Sequence, residues 1–413
     1  MFEKLILPNG LRVVLTRIPQ VRSLSVGVWI KAGVINEDGY PNGIAHFAEH
    51  MLFKGTAKRT AVEIAREIED IGGEINAFTS REYTCYYTKS LDEYADKCLD
   101  VLSDIYLNAL IDKDTTEKEK SVIKQEISMY EDTPDELIHD LIIRTMWAGC
   151  LYGNPISGTK ESLEGINNLN ITDYVQKHYN ADSTVISAAG NFDRDALLGA
   201  ISQKFVYDAR KEAIKPQVVP QYTPDVYYRE KDTEQNHICI GFRGFDIFDD
   251  RIYDMSCFNS IFGSGMSSLL FQKIRDELGL VYSVYSYNAS FTSGGSFIIY
   301  AGLEKSNTGF YFREVDKLIS EFRTKIIPED QLKVVKNKLR SNYILALESP
   351  SSIMNYTGSS ELLKGYIDSP DRISEKIEEI SVDSLYGSLG SVLDIKRSVV
   401  LIGSYNGSLY DFV

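Results

Sequence analysis

Near the midpoint of the 413-residue chain, residues 211–225 carry Pro216, Pro220 and Pro224 and show neither helical nor strand periodicity. Proline lacks the backbone N–H and its ring clashes with the preceding helical turn, so such a stretch belongs inside neither a helix nor a sheet. The chain is therefore expected to fold as two domains, residues 1–210 and 226–413, joined by a linker at 211–225. Each is long enough to bury a core of its own.

Both parts follow one order of elements. In the first, residues 5–7 and 11–16 flank the turn Pro8-Asn9-Gly10 and read as a hairpin, with a strand at 24–32 after it. A short helix is expected over 43–53. Thr60-Ala61-Val62-Glu63 then forms a capping box, Ile64, Ile68 and Ile71 make one helical stripe, and Gly72-Gly73 ends it. Strands at 74–80 and 83–89 follow, the second alternating Tyr83, Cys85 and Tyr87. Helical spacing returns at Tyr94, Cys98, Val101, Leu102 and Ile105, and a further helix starts near Asp114. Beyond the prolines, a strand at 237–243, helices at 255–261 and 267–277, and strands at 282–291 and 296–303 repeat this order loosely. The expected fold class is α+β: two similar domains, each a mostly antiparallel sheet covered by helices.

The chain has five histidines, and two of them, His46 and His50, stand one helical turn apart in the run His46-Phe47-Ala48-Glu49-His50. At i and i+4 both imidazoles leave one helix face and can reach a single metal ion. Glu49 shares that face but lies off the line joining them, where a carboxylate can touch a metal-bound water without ligating the metal. An H-x-x-E-H run of this kind points to zinc-assisted amide hydrolysis, with Glu49 as general base. The competing explanation is that the two histidines merely pack or cap.

Composition excludes other classes. A formal net charge of −15 argues against nucleic acid as the main partner, because phosphate binding relies on clustered Lys and Arg. It suits basic ligands or serves solubility alone. The five cysteines form no C-x-x-C pair, so neither a disulfide framework nor a thiolate zinc site is indicated. The first ten residues show no signal or transit pattern and no apolar run reaches eighteen residues, so a cytoplasmic, membrane-free location is expected.

A hydrolytic zinc site needs a third protein ligand and an open position. The helix near Asp114 offers Glu119 and Glu126, seven residues apart on one face, which a metal site or a solvated face would equally explain. Taken with His46 to His50, the segment Val122-Ile123-Lys124-Gln125-Glu126 resembles the pitrilysin and mitochondrial processing peptidase family. The resemblance extends over nearly the whole chain, through Phe53-Lys54-Gly55-Thr56, Asn76-Ala77-Phe78-Thr79, Leu270-Phe271-Gln272-Lys273-Ile274-Arg275 and Gly279-Leu280-Val281-Tyr282-Ser283.

The resemblance implies that His46, His50 and Glu126 hold zinc, that Glu49 is the base, and that Glu119 is a supporting carboxylate. It further implies that Asn76, Ala77, Phe78 and Thr79 line the substrate and that Arg275 and Tyr282 complete the active site from the second domain. The second half has Gly263-Ser264-Gly265 and no H-x-x-E-H, so one Zn2+ per chain is expected. The implied protein is a zinc endopeptidase for short or unfolded peptides, basic or presequence-like, with two domains closing like a clamshell around a cavity and two chains forming a homodimer. The alternative is a homologue that binds peptides or scaffolds partners without cutting. His139, His178 and His237 read as structural, with His139 also a candidate partner of the metal ligands.

Overall fold

The structure is a computed structural model that describes residues 2–207, 222–394 and 396–413, so positions 211–221 of the expected linker lie outside the described residues. Two compact units emerge, and neither is a continuous stretch of chain. The first takes the described residues within Met1–Ser128, Asn154–Pro216 and Leu345–Ile367, the second those within Met129–Gly153, Gln217–Ile344 and Asp368–Val413. The expected division into 1–210 and 226–413 is corrected by this: residues 129–153 and 345–367 each pack in the unit opposite to the half that encodes them.

The first unit is built on six strands, β1 (Glu3–Ile6), β2 (Arg12–Arg17), β3 (Ser23–Ile30), β4 (Glu74–Thr79), β5 (Thr84–Leu91) and β6 (Thr184–Gly190), in the order β1-β2-β6-β3-β5-β4. The second has β7 (Val226–Glu230), β8 (Asn236–Gly244), β9 (Val281–Phe291), β10 (Gly294–Leu303) and β11 (Ser398–Gly403), in the order β7-β11-β8-β10-β9. Apart from β1 the sheets correspond strand for strand, β2-β6-β3-β5-β4 with β7-β11-β8-β10-β9. The parallel pairs β2/β6 and β7/β11 fall at equivalent places and all other neighbours are antiparallel. Two similar α+β domains are thus present, as the repeated order of elements implied.

Strand β3 shows how the first sheet is covered on both faces. Successive side chains of a strand point to opposite sides. Leu24, Val26, Val28 and Ile30 enter the larger core, which includes Phe47, Ile64, Leu102 and Ile123. Ser25, Gly27 and Trp29 meet the returning helix Pro350–Lys364 on the other side: Ser25 and Ser351 hydroxyls lie 2.9 Å apart, and Trp29 packs with Met354 and Leu362. Burying each large apolar side chain of this kind is worth about 1.5–3 kcal/mol. In the second unit, helix Pro134–Met146 takes the equivalent place against β8 and β11.

Glycine makes both approaches possible. A methyl group at Gly27 would fall 2.4 Å from Met354 Sδ, and one at Gly241 of β8 would fall 2.3 Å from Met146 Sδ. The returning helix is also pinned electrostatically, because its fully buried Glu361 pairs with Lys4 of β1 and Arg12 of β2.

Candidate metal centre

Helix Ile44–Leu52 buries Ile44, Ala45, Phe47, Ala48, Met51 and Leu52, which leaves His46, Glu49 and His50 as the face turned away from the core. Its N-cap, Gly43, adopts φ +93°, a backbone conformation that favours glycine, and supplies no side-chain cap. The cap comes from Glu37, whose carboxylate accepts from Gly43 N and Ala45 N at 3.1 Å and from Asn42 Nδ2 at 2.8 Å. Glu37 is 1% exposed, and burial pushes its pKa up to about 7 against those three hydrogen bonds.

The third donor arrives on helix Lys113–Glu131. Glu126 Oε1 lies 3.6 Å from His46 Nε2, and Oε2 lies 3.5 Å from His50 Nε2. One ligand atom from each of the three residues lies within 4.8 Å of the others. Donors at about 2.0–2.1 Å from a tetrahedral ion stand roughly 3.4 Å apart, so this donor set fits zinc. Protonation favours it too: burial, then the neighbouring His50, lowers the His46 pKa to about 3 and keeps that imidazole neutral. His46 Nδ1 is buried and meets no partner among the described residues, so its ring engages only through Nε2.

His50 is oriented from behind. Its Nδ1 lies 2.8 Å from Glu119 Oε1, and Glu119 Oε2 pairs with Lys54 Nζ at 2.7 Å. Burial pushes the Glu119 pKa upward, but the hydrogen bonds from His50 and Lys54 outweigh it and hold the carboxyl below its ordinary value. A carboxylate on Nδ1 leaves Nε2 free to face the metal position, the usual arrangement behind a metal-binding histidine. Glu49 is the reverse case, with burial raising its pKa while Thr79 and His50 pull it down less effectively. Thr79 Oγ1 donates to Glu49 Oε2 at 2.5 Å.

The expected substrate strand is β4, an edge of its sheet. Asn76 is exposed, and its Oδ1 accepts from Ala77 N at 2.8 Å. Phe78 packs edge-on against Trp29, Tyr83 and Tyr87, and Ala77 packs on the larger core. Thr79 points at Glu49. In the second unit, Arg275 lies on the π-helix Leu270–Glu277, its guanidinium 4.7 Å from the Phe271 ring centre and 5.8 Å from that of Tyr282. Tyr282 is 74% exposed near the start of β9, the strand equivalent to β4. Wide turns of this kind often occur at functional sites.

The idea of His139 as a partner of the metal ligands is corrected: Tyr287 OH and Tyr285 OH occupy its two ring nitrogens at 2.7 and 2.9 Å within the second unit. His178 packs between aromatic neighbours and His237 bonds Tyr300 OH at 3.0 Å, both structural. Sequence reasoning missed Glu37, Lys54 and the contact of Thr79 with Glu49. Lys54 stands just past the C-cap Phe53 of helix Ile44–Leu52, where helical spacing no longer applies.

Two imidazoles and a carboxylate converging beside a second, half-buried carboxylate define a metallohydrolase type of site. Residues 12–160 match the family described as insulinase, or peptidase family M16, and residues 166–339 match the peptidase M16 inactive domain, the half without H-x-x-E-H. The chain belongs to peptidase family M16. It is 38% identical over 94% of its length to the uncharacterized zinc protease YmxG of Bacillus subtilis, and covers 94% of that protein. It is 34% identical over 96% of its length to an uncharacterized zinc protease of Rickettsia felis, again covering 96% of the relative. The fold matches a Helicobacter pylori protease with a TM-score of 0.87 at 19% identity, over 98% of this chain and 99% of that one. It also matches a Pseudomonas fluorescens peptidase M16 inactive domain structure with a TM-score of 0.90 at 18% identity, over 99% of both chains. Family and relatives together support a protease-type function with zinc as the metal. Among the described residues no helix is long and apolar enough to cross a membrane.

Proposed function

We propose that this chain is a zinc-dependent endopeptidase that hydrolyses short or unfolded peptides bound in extended form. The observation that carries the reading is the convergence of His46 Nε2, His50 Nε2 and the Glu126 carboxylate with Glu49 beside them. Zinc held by those three residues would supply a Lewis acid and a water acidic enough to ionise near pH 7. Glu49 is placed to act as general base, taking a proton from a water whose oxygen bonds the amide carbon and returning it to the nitrogen as the C–N bond breaks. Its raised pKa suits a group that must give the proton back.

Strand β4 offers an edge to the backbone of an extended peptide, which binds with little regard to sequence. Arg275 and Tyr282 are assigned to the peptide as donors, the guanidinium to its carbonyls and the phenol to the oxyanion. Two copies of the chain are proposed to form a homodimer, which light scattering reads directly.

The test is zinc content measured beside hydrolysis of a quenched peptide. The parent protein binds one zinc and cuts; Glu49→Gln keeps the zinc and loses at least about 100-fold in kcat; Glu126→Gln loses zinc. A Glu49→Gln protein with a near-parental rate overturns the reading. A parent that holds peptide and zinc without cutting establishes instead the peptide-binding alternative, which the description of the second half as an inactive domain keeps in view.

A further inference from the structure

We propose that Thr79 is a positioning residue that aims the Glu49 carboxylate, a role distinct from lining the substrate; the inference rests on the proposed peptidase reading. Glu49 stands half-buried on the face of helix Ile44–Leu52 turned away from the core, a side chain with three rotatable bonds and two oxygens. Left free, it would sample several rotamers, and a base displaced by about 1 Å loses on the order of 100-fold in rate. A single hydroxyl removes that freedom, with Thr79 Oγ1 donating to Glu49 Oε2 at 2.5 Å.

Thr79 is itself placed by the sheet. Thr79 and Thr84 are directly opposed in the β4/β5 ladder, and their hydroxyl oxygens lie 3.1 Å apart. Thr84 is fully buried and donates its one proton to the Ala32 carbonyl at 2.7 Å. Thr84 therefore has no proton for its neighbour, and the proton of Thr79 is the one that reaches the carboxylate. Thr79 is thus held by the strand pairing with its one proton directed to Oε2 of Glu49, and the 3.1 Å approach of the two hydroxyl oxygens carries no hydrogen bond of its own. The sheet thereby orients a side chain of the helix packed on it. The Thr79 hydroxyl engages one of the two carboxylate oxygens, Oε2.

The alternation of β4 separates this role from substrate binding. Asn76 and ring-packed Phe78 point to the face that meets helix Pro350–Lys364 at Trp29, Ala77 and Thr79 to the face that carries helix Ile44–Leu52. A residue on that second face reaches the base from the sheet side, where a peptide added at the edge does not displace it.

Thr79→Val keeps the shape and deletes the hydroxyl; Thr79→Ser keeps the hydroxyl. Expected for Thr79→Val are one bound zinc, KM within about twofold of the parent and kcat lowered by about 10- to 100-fold, with Thr79→Ser restored to within a few-fold. A readout independent of turnover is the crystal structure of the metal-free proteins, where the Glu49 carboxylate should leave its place in Thr79→Val and keep it in Thr79→Ser. Should Thr79→Val not fold, Thr79→Ala against Thr79→Ser decides by the same split. Unchanged kcat, an unmoved Glu49 carboxylate, or a raised KM at parental kcat overturns the inference, the last by returning Thr79 to the substrate. An active parent with an unaffected Thr79→Val sinks this inference alone, whereas a zinc-loaded parent that cuts nothing sinks the reading beneath it.

Discussion

Glu119 touches one proposed ligand and lies 4% exposed between His50 and Lys54, so its removal would act on a bound metal through another residue. Glu119→Gln is expected to weaken zinc binding by about 10- to 100-fold, read by competition with a chromophoric chelator. An unchanged dissociation constant would show that the Nδ1 contact does not hold the ring. Glu37 gives a pH-dependent prediction. Folded, it keeps its proton to about pH 7 against an ordinary 4.5, so between these values the folded chain binds more protons than the unfolded one. Stability from this group is greatest below pH 4.5, falls as pH rises to 7, and is level above, a change of about 3 kcal/mol. Glu37→Gln should flatten that slope in urea unfolding followed from pH 5 to 8; parallel curves for the two proteins refute it. The shared face of His46, Glu49 and His50 was legible because i, i+3 and i+4 spacing is a property of the helix itself. Glu37 and Thr79 were not, because their partners are fixed by a turn and a strand pairing that no local pattern encodes.

The same divide holds among elements. The hairpin, the capping box at Thr60 and the strands β4, β5, β8, β9 and β10 were readable from turn residues, caps and alternation. Strands β6 and β11 escaped because every residue in them is buried, which erases the alternation that marks a strand. The exchange of helices Pro134–Met146 and Pro350–Lys364 escaped because an apolar face does not say which sheet it will cover. Gly27 and Gly241 were the only local hints, since a glycine inside a strand often marks a close approach. Gly27→Val and Gly241→Val are each expected to cost about 1–3 kcal/mol by overpacking against a methionine, although its flexible end can give somewhat. Gly387→Ala, in helix Val382–Leu393 with nothing within 4 Å of the added methyl, should instead stabilise by about 0.4–1 kcal/mol. Urea midpoints for the three variants test the contrast, and a Gly27→Val protein as stable as Gly387→Ala would mean the returning helix does not pack at Gly27 as described.

For the whole molecule, duplication was visible in the repeated order of elements, and net charge could be counted directly, but neither shows where charge acts. A balance of −15 over 413 residues gives a negative field, and Glu49, Glu119 and Glu126 add carboxylates at the metal centre itself. Lys54 already pairs with Glu119 and bound zinc would offset the other two charges, so it is the acidic balance of the whole chain that should bring a cationic peptide faster than an anionic one. Steering of this kind acts on the encounter rate, so it belongs in kcat/KM and not in kcat, and it fades once the Debye length falls to about 3 Å at 1 M salt. Matched quenched peptides, one Lys-rich and one Glu-rich around the same scissile bond, are therefore expected to differ by about 10-fold in kcat/KM at 10 mM salt, where the Debye length is about 30 Å, and to converge at 1 M. A preference that survives high salt would place the selection in direct contacts with the side chains. Equal rates at low salt would leave the acidic balance with solubility as its only role.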